Sequence, residues 1–182
     1  HTGFLELRWK LVSGGGFHRA FYPVADRQAI EAEIDRRAKV ADVYFGVLRR
    51  TRRDGTAAAC APTRMAWAEL DDPESIERAI NFTYPPNFVV ETSPGKAHAY
   101  FDLCEEIDPK YQRQMNLRLA HHFGGDTNAC DAARILRPCG TLNHKYGEPH
   151  PVRCVFVSIT ARMPTARELV GDLPDPEPPR AT

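Results

Sequence analysis

Residues 63–72, TRMAWAELDD, run from a strand-forming stretch straight into three acidic side chains. That junction constrains the fold more than any other feature of the chain. On an extended strand residues i and i+2 share a face, so Glu69 and Asp71 point the same way while Leu70 goes to the other. Two carboxylates side by side repel unless a cation lies between them. Hard divalent cations such as Mg2+ or Mn2+ take oxygen ligands and are commonly held by one or two carboxylates together with substrate phosphates. The same charge has a purely structural use. The strand leads into DPESIERAI, a short helix with Pro73 near its start, and acids at a helix N-terminus favour its dipole. Both readings stay open on these residues alone.

Periodicity predicts further strands over FLELRWKL (4–11), VYFGVL (43–48), NFVVETS (87–93), KAHAYFDL (96–103) and PVRCVFVSIT (151–160). Helices are expected over 26–40, where Asp26 is a fair N-cap, over 108–123, over 128–137, and in the closing TARELVGDL. SGGG (13–16), RRTRRDG (49–55), SPG (93–95) and GGD (124–126) read as turns or breaks. The order lacks the regular βαβ beat of a doubly wound sheet, and there is no internal repeat and no G-x-G-x-x-G. A chain of 182 residues, 42% hydrophobic, suits one domain with its own core. Residues 1–165 are assigned to that domain, and 166–182 to a short helix and a Pro-rich acidic tail or linker.

Composition excludes more than it selects. The 24 basic residues balance the 24 acidic ones, so a nucleic-acid partner must be argued from local clusters. The five cysteines are spread out with no C-x-x-C, which reads as free thiols; zinc on His121, His122 or His144 would need clustered ligands. No apolar run reaches the ~20 residues of a membrane span, and the start lacks a basic-then-apolar signal. The expectation is a soluble, cytoplasmic protein with no membrane partner.

Two more stretches carry chemistry. SPGKAHAY (93–100) puts Lys96 and His98 on one strand face beside a glycine turn, and both can donate to phosphate. GGDTNACDAARILRPCGTLNHK (124–145) offers Asp126 or Asp131 as a third acid, then Arg134, Arg137, Asn143, His144 and Lys145. Arg137 follows an apolar pair and precedes a Pro–Gly turn, a way to project a guanidinium from a rigid element.

In this order the motifs resemble the archaeo-eukaryotic primase superfamily, in particular the primase-polymerase (RepB-like) domains of plasmids, phages and other mobile elements. The resemblance rests on Glu69-Leu70-Asp71 at a strand end, on the small-residue turn before His98, and on Asp126 followed by ARILRPCGTLNHK. Relatives carry Asp where this chain has Glu69, Arg-Leu-Pro-Gly where it has Arg137-Pro138-Cys139-Gly140, and often Ser where it has Lys96. The residues alone point to an α/β domain; the resemblance implies an α/β (α+β) fold, an RRM-like antiparallel sheet core and a smaller α/β subdomain with the catalytic cleft between them. It implies template-directed nucleotidyl transfer, as a DNA primase or DNA polymerase, from nucleoside triphosphates on a single-stranded DNA template. Glu69, Asp71 and Asp126 would hold two divalent ions, Mg or Mn. Lys96, His98, Arg137, Asn143 and Lys145 would bind the nucleotide, and Arg49, Arg50, Arg52 and Arg53 the DNA. A fused or associated helicase is an open partner. Tyr44, Phe45 and Tyr100 are candidates for stacking on bases or for filling core.

Other classes fit less of the sequence. A nicking endonuclease would use a His-x-His metal pair, but His121 and His122 are adjacent. A pure RRM-type binding module leaves the acids unexplained. A primase-like domain that binds single-stranded DNA without synthesis is the surviving alternative.

Overall fold

The computed structural model describes residues 2–158 and 162–176. In chain order it contains β1 (Phe4–Leu11), β2 (His18–Pro23), α1 (Arg27–Ala38), β3 (Ala41–Gly46), β4 (Thr63–Leu70), α2 (Pro73–Ile80), β5 (Phe88–Ser93), β6 (Lys96–Ile107), α3 (Pro109–Phe123), β7 (Ile135–Leu136), β8 (Leu142–Asn143), β9 (His150–Pro151), β10 (Arg153–Val157) and α4 (Ala166–Val170). The fold is α+β and built on two antiparallel four-stranded sheets, β2-β1-β3-β7 and β10-β5-β6-β4, with a small β8-β9 hairpin.

The larger sheet holds the main core. Ala66, Ala68 and Leu70 of β4 and Ala97, Ala99, Phe101 and Leu103 of β6 pack under Met115, Leu119 and Phe123 of α3, joined by Leu169 and Val170 of α4. The small residues let the helix lie close to the sheet. On the smaller sheet α1 covers one face, through Trp9, Ala41, Val43 and Ile34. A third cluster, around Trp67, Leu48, Tyr100 and Leu136, glues the sheets together.

β4 is an edge strand, yet it is buried, so its free backbone groups need partners. Gln112 Nε2 donates to Met65 O at 3.0 Å, Trp67 N donates to Asn116 Oδ1 at 3.1 Å, and Asp126 N donates to Glu69 O at 3.0 Å. Alternate groups along one strand edge are thus satisfied by α3 and by the loop that follows it.

Several expectations change. β2 went unread, because HRAFYP looks like part of a glycine loop until its pairing with β1 is seen. β3 begins two residues earlier than expected and stops at Gly46, where an added Cβ would lie 2.8 Å from Arg50 Nη2. β6 runs on to Ile107. The helix expected over 128–137 does not form. Asp126 caps a single 3-10 turn at Thr127–Ala129, and Ile135–Leu136 instead pairs with Phe45–Gly46. Positions 159–160 of the last expected strand, and 177–182 of the tail, lie outside the described residues.

Candidate active site between the two sheets

A cleft of about 590 Å³ separates the sheets, lined by Glu69, Asp71 and Asp126, by Lys96 and His98, and by Arg137, Asn143 and Lys145, with Phe17, Tyr44 and Arg134 at its margin. The strand end behaves as alternation requires: Glu69 and Asp71 both face the cleft. Asp72 takes the structural role instead. Its carboxylate accepts from Ser75 N at 2.7 Å, and Ser75 Oγ takes up the Asp72 N–H, closing a capping box on α2. One acidic run serves both uses.

Asp126 is brought beside Glu69 by two glycines. Gly124 ends α3 in the left-handed region at φ 75°. Gly125 then passes so close to β4 that an added Cβ would lie 2.0 Å from Glu69 O. The Asp126 side chain accepts from Asn128 N at 2.8 Å. Asp131, the other candidate for third acid, is drawn away by Arg134 at 2.7 Å.

Glu69 carries the electrostatic consequence. Burial, then Asp126, then Asp71 push its carboxyl above the usual range. An all-oxygen set of mutually repelling carboxylates is chemistry that fits a hard divalent cation. Lys96 Nζ sits on Asp71 Oδ1 at 2.7 Å. Among the described residues no three His, Cys, Asp or Glu side chains already enclose an ion-sized space.

The opposite wall is cationic. Arg137 is nearly buried, with Nη1 on Asp42 Oδ1 at 2.7 Å and its guanidinium 4.6 Å over the Tyr44 ring. Asp42 also accepts from His144 N at 2.8 Å, so one carboxylate aims the arginine and pins the β8 end. Asp42 was missed in the sequence. The signal was its i, i+2 relation to Tyr44 on a strand. The displaced proline is accommodated by Thr141 Oγ1, which donates to Pro138 O at 2.8 Å, and by Gly140 at φ 88°.

His98 is buried. Desolvation and the Arg137 charge push its pKa down to about 3, so it is neutral at pH 7 and its 3.9 Å approach to Glu69 is a contact rather than an ion pair. Asn143 spends its side chain on the fold: Nδ2 donates to Thr92 O at 2.7 Å and Oδ1 accepts from Lys145 N at 3.1 Å. It ties the hairpin to β5 and sets the position of Lys145.

One member of the basic run is a correction. Arg50 is fully buried, with Nε and Nη2 on Glu6 Oε2 at 2.9 and 2.7 Å and Nη1 on Leu48 O at 3.1 Å, so it is unavailable to DNA. Arg49 donates to Thr2 O, Arg52 pairs with Asp54, and Arg53 lies over Phe4; none of the four lines the cleft. Tyr100 is core and Phe45 packs against the inter-sheet cluster, while Tyr44 stands at the cleft margin.

The family model described as the RepB DNA-primase N-terminal domain matches residues 22–166. The chain belongs to that family. Its fold is that of archaeo-eukaryotic primase-type domains. The primase-polymerase domain of cyanophage S-2L superposes with a TM-score of 0.70 at 15% identity, covering 94% of this chain and 90% of that one. The catalytic domain of primase RepB′, solved with initiator DNA, gives 0.70 at 17% identity over 93% and 85%. The polymerase domain of Mycobacterium tuberculosis ligase D, solved with DNA, gives 0.56 at 12% over 93% and 80%. In the longer RepB′ primase structure this chain spans 56% of the chain. No curated protein sequence matches. No helix among the described residues is long and apolar enough to cross a membrane.

Proposed function

We propose that this domain is a template-directed nucleotidyltransferase, a DNA primase or polymerase that joins nucleoside triphosphates in the replication of a plasmid, phage or other mobile element. One observation carries the reading: three carboxylates from the end of β4 and the α3–β7 loop share one cleft with the cationic side chains of Lys96, Arg137 and Lys145, in a chain of the RepB primase family.

Glu69, Asp71 and Asp126 are the ligands for Mg2+ or Mn2+ in this reading. Divalent ions held there would supply a lowered pKa for an attacking 3′-hydroxyl and countercharge for the departing pyrophosphate. The chain's own side chains do the rest. Arg137, held from behind by Asp42, presents its remaining N–H groups to the phosphates, where a guanidinium can engage two oxygens at once. Lys96 and Lys145 add positive charge on either side. Neutral His98 offers one N–H hydrogen bond and no net charge. Asn143 acts as a positioning residue for Lys145 rather than as a contact of its own.

The test is extension of a labelled primer on single-stranded DNA with Mg2+ or Mn2+, comparing the protein with Asp71→Ala. Loss of an acid that organises the reacting groups is expected to reduce extension by ~10²-fold or more. Equal extension by both proteins would sink the assignment of Asp71. The Lys96–Asp71 ion pair favours a second reading, a primase-like domain that binds single-stranded DNA without synthesis. In that case neither protein extends, and both bind the template equally.

A further inference from the structure

The smaller sheet has one face under α1 and one without a helix on it. The second face carries Glu6, Arg8 and Lys10 on β1, Arg19 and Phe21 on β2, and Asp42 and Tyr44 on β3, as the strand registers require. Arg8 lies directly opposite Arg19 in the β1–β2 register. Like charges in that position destabilise a sheet. The two guanidiniums also converge: a Cβ added at Gly55 would lie 2.7 Å from Arg8 Nη2 and 2.7 Å from Arg19 Nη1. Their shared counter-charge is Glu6, 2.6 Å from Arg8 Nε and 4.0 Å from Arg19 Nη1, and its other oxygen is already taken by Arg50. One carboxylate therefore faces three guanidiniums. Lys10 is exposed, and the carboxylate opposite it in the β1–β3 register, Asp42, is engaged by Arg137 and by the His144 N–H. The positive excess sits at the surface, since the Arg19 side chain is 50% exposed and Arg8 27%.

Aromatic rings interleave with this charge. Arg19 lies 5.5 Å over the Phe21 ring. Phe17, 57% exposed, meets Tyr44 with ring centroids 5.6 Å apart. Phe17 and Tyr44 also line the cleft, so the face borders it. Phe17 is carried just after Gly14, Gly15 and Gly16, none of which would meet an atom within 4 Å if given a Cβ.

We infer that this helix-free face binds single-stranded nucleic acid and leads it into the cleft, with Arg8, Lys10 and Arg19 on the phosphates and Phe17, Phe21 and Tyr44 beneath unpaired bases. The inference rests on the proposed template-directed function and gives it a binding surface that does not depend on the buried Arg50. Interleaved cations and aromatics are what an unpaired strand requires, because every base offers a π-face and every linkage a negative charge. A duplex hides its base faces and satisfies only half of the arrangement.

The test is fluorescence anisotropy of labelled oligo-dT, of the same length of abasic strand and of a duplex, across a salt series. The proteins compared are the wild type, the double variant Lys10→Gln/Arg19→Gln, Phe17→Ala, and Arg153→Gln as a reference on the other sheet. The double variant is expected to bind oligo-dT more weakly, with a log K against log salt slope shallower by roughly 0.7 per charge removed. Phe17→Ala is expected to lose affinity for oligo-dT but not for the abasic strand, and Arg153→Gln to match the wild type. If the wild type binds oligo-dT and the double variant does so with an unchanged slope, the inference falls while the proposed function stands. Equal wild-type affinity for oligo-dT and abasic strand overturns the stacking assignment. No binding of oligo-dT by the wild type removes the template-directed reading and this surface together.

Discussion

Gly125 shows how much a single residue decides here. The sequence reading takes GGD as a helix break, and Gly124 does end α3. The second glycine does something else: it has no Cβ where one would sit 2.0 Å from Glu69 O, and this close approach lets the Asp126 N–H reach that same carbonyl at 3.0 Å. A methyl group there forces the loop off β4 and carries Asp126 away from Glu69. Gly125→Ala is therefore expected to reduce primer extension by ~10²-fold, the order of loss from a ~1 Å misplacement of a reacting group, while the circular dichroism spectrum stays native. Full activity in that variant would show that Asp126 has no part in the reaction.

At the scale of elements, α3 is both a core helix and the partner of a strand edge. Met115, Leu119 and Phe123 supply the apolar stripe, which is legible from their spacing. Gln112 and Asn116 are polar yet fully buried, because they complete the backbone hydrogen bonds of β4, and Asn116 Nδ2 reaches on to Cys130 O at 3.3 Å. Asn116→Leu leaves those groups unpaired and is expected to cost about 1–3 kcal/mol in urea denaturation. The 49–56 loop makes the complementary point. Four arginines in five positions read as a solvated basic turn, but Arg50 folds inward onto Glu6 and three carbonyl or thiol acceptors. Arg50→Ala strands the Glu6 carboxylate in the interior, with Arg8 as its nearest remaining counter-charge, and is expected to destabilise the fold by ~3–5 kcal/mol. A loss under ~1 kcal/mol would mean that water enters the site freely.

For the whole molecule, the cysteines report on how the two sheets close. Cys104, Cys139 and Cys154 are exposed, while Cys60 and Cys130 are buried. Burial raises the Cys60 thiol pKa and pushes that of Cys130 up to about 11. At pH 8 a thiolate-trapping reagent is expected to modify the three exposed cysteines promptly. The other two should react only as denaturant opens the chain, with a midpoint matching global unfolding. Early reaction of Cys130 alone would instead reveal local opening of the loop that bears Asp126.

The sequence by itself determined the elements whose signals are local. These are the strand ending in Glu69-Leu70-Asp71, the helices opening at Asp26, Asp72 and Asp108, and the turn before His98. Each follows from alternation, capping or turn chemistry within about ten residues of chain. Tertiary structure alone decided what those residues meet. It set the Asp126 loop against Glu69 by threading Gly125 along β4, and it turned Ile135–Leu136 from helix to strand because β3 offered a free edge. It drew Arg50 inward to Glu6, 44 positions away in the chain, and set Asp42 behind Arg137, 95 positions away. Those outcomes depend on which charge is left without a partner and which backbone edge is left unpaired once the chain is compact. Both conditions come into being only when distant segments are brought together.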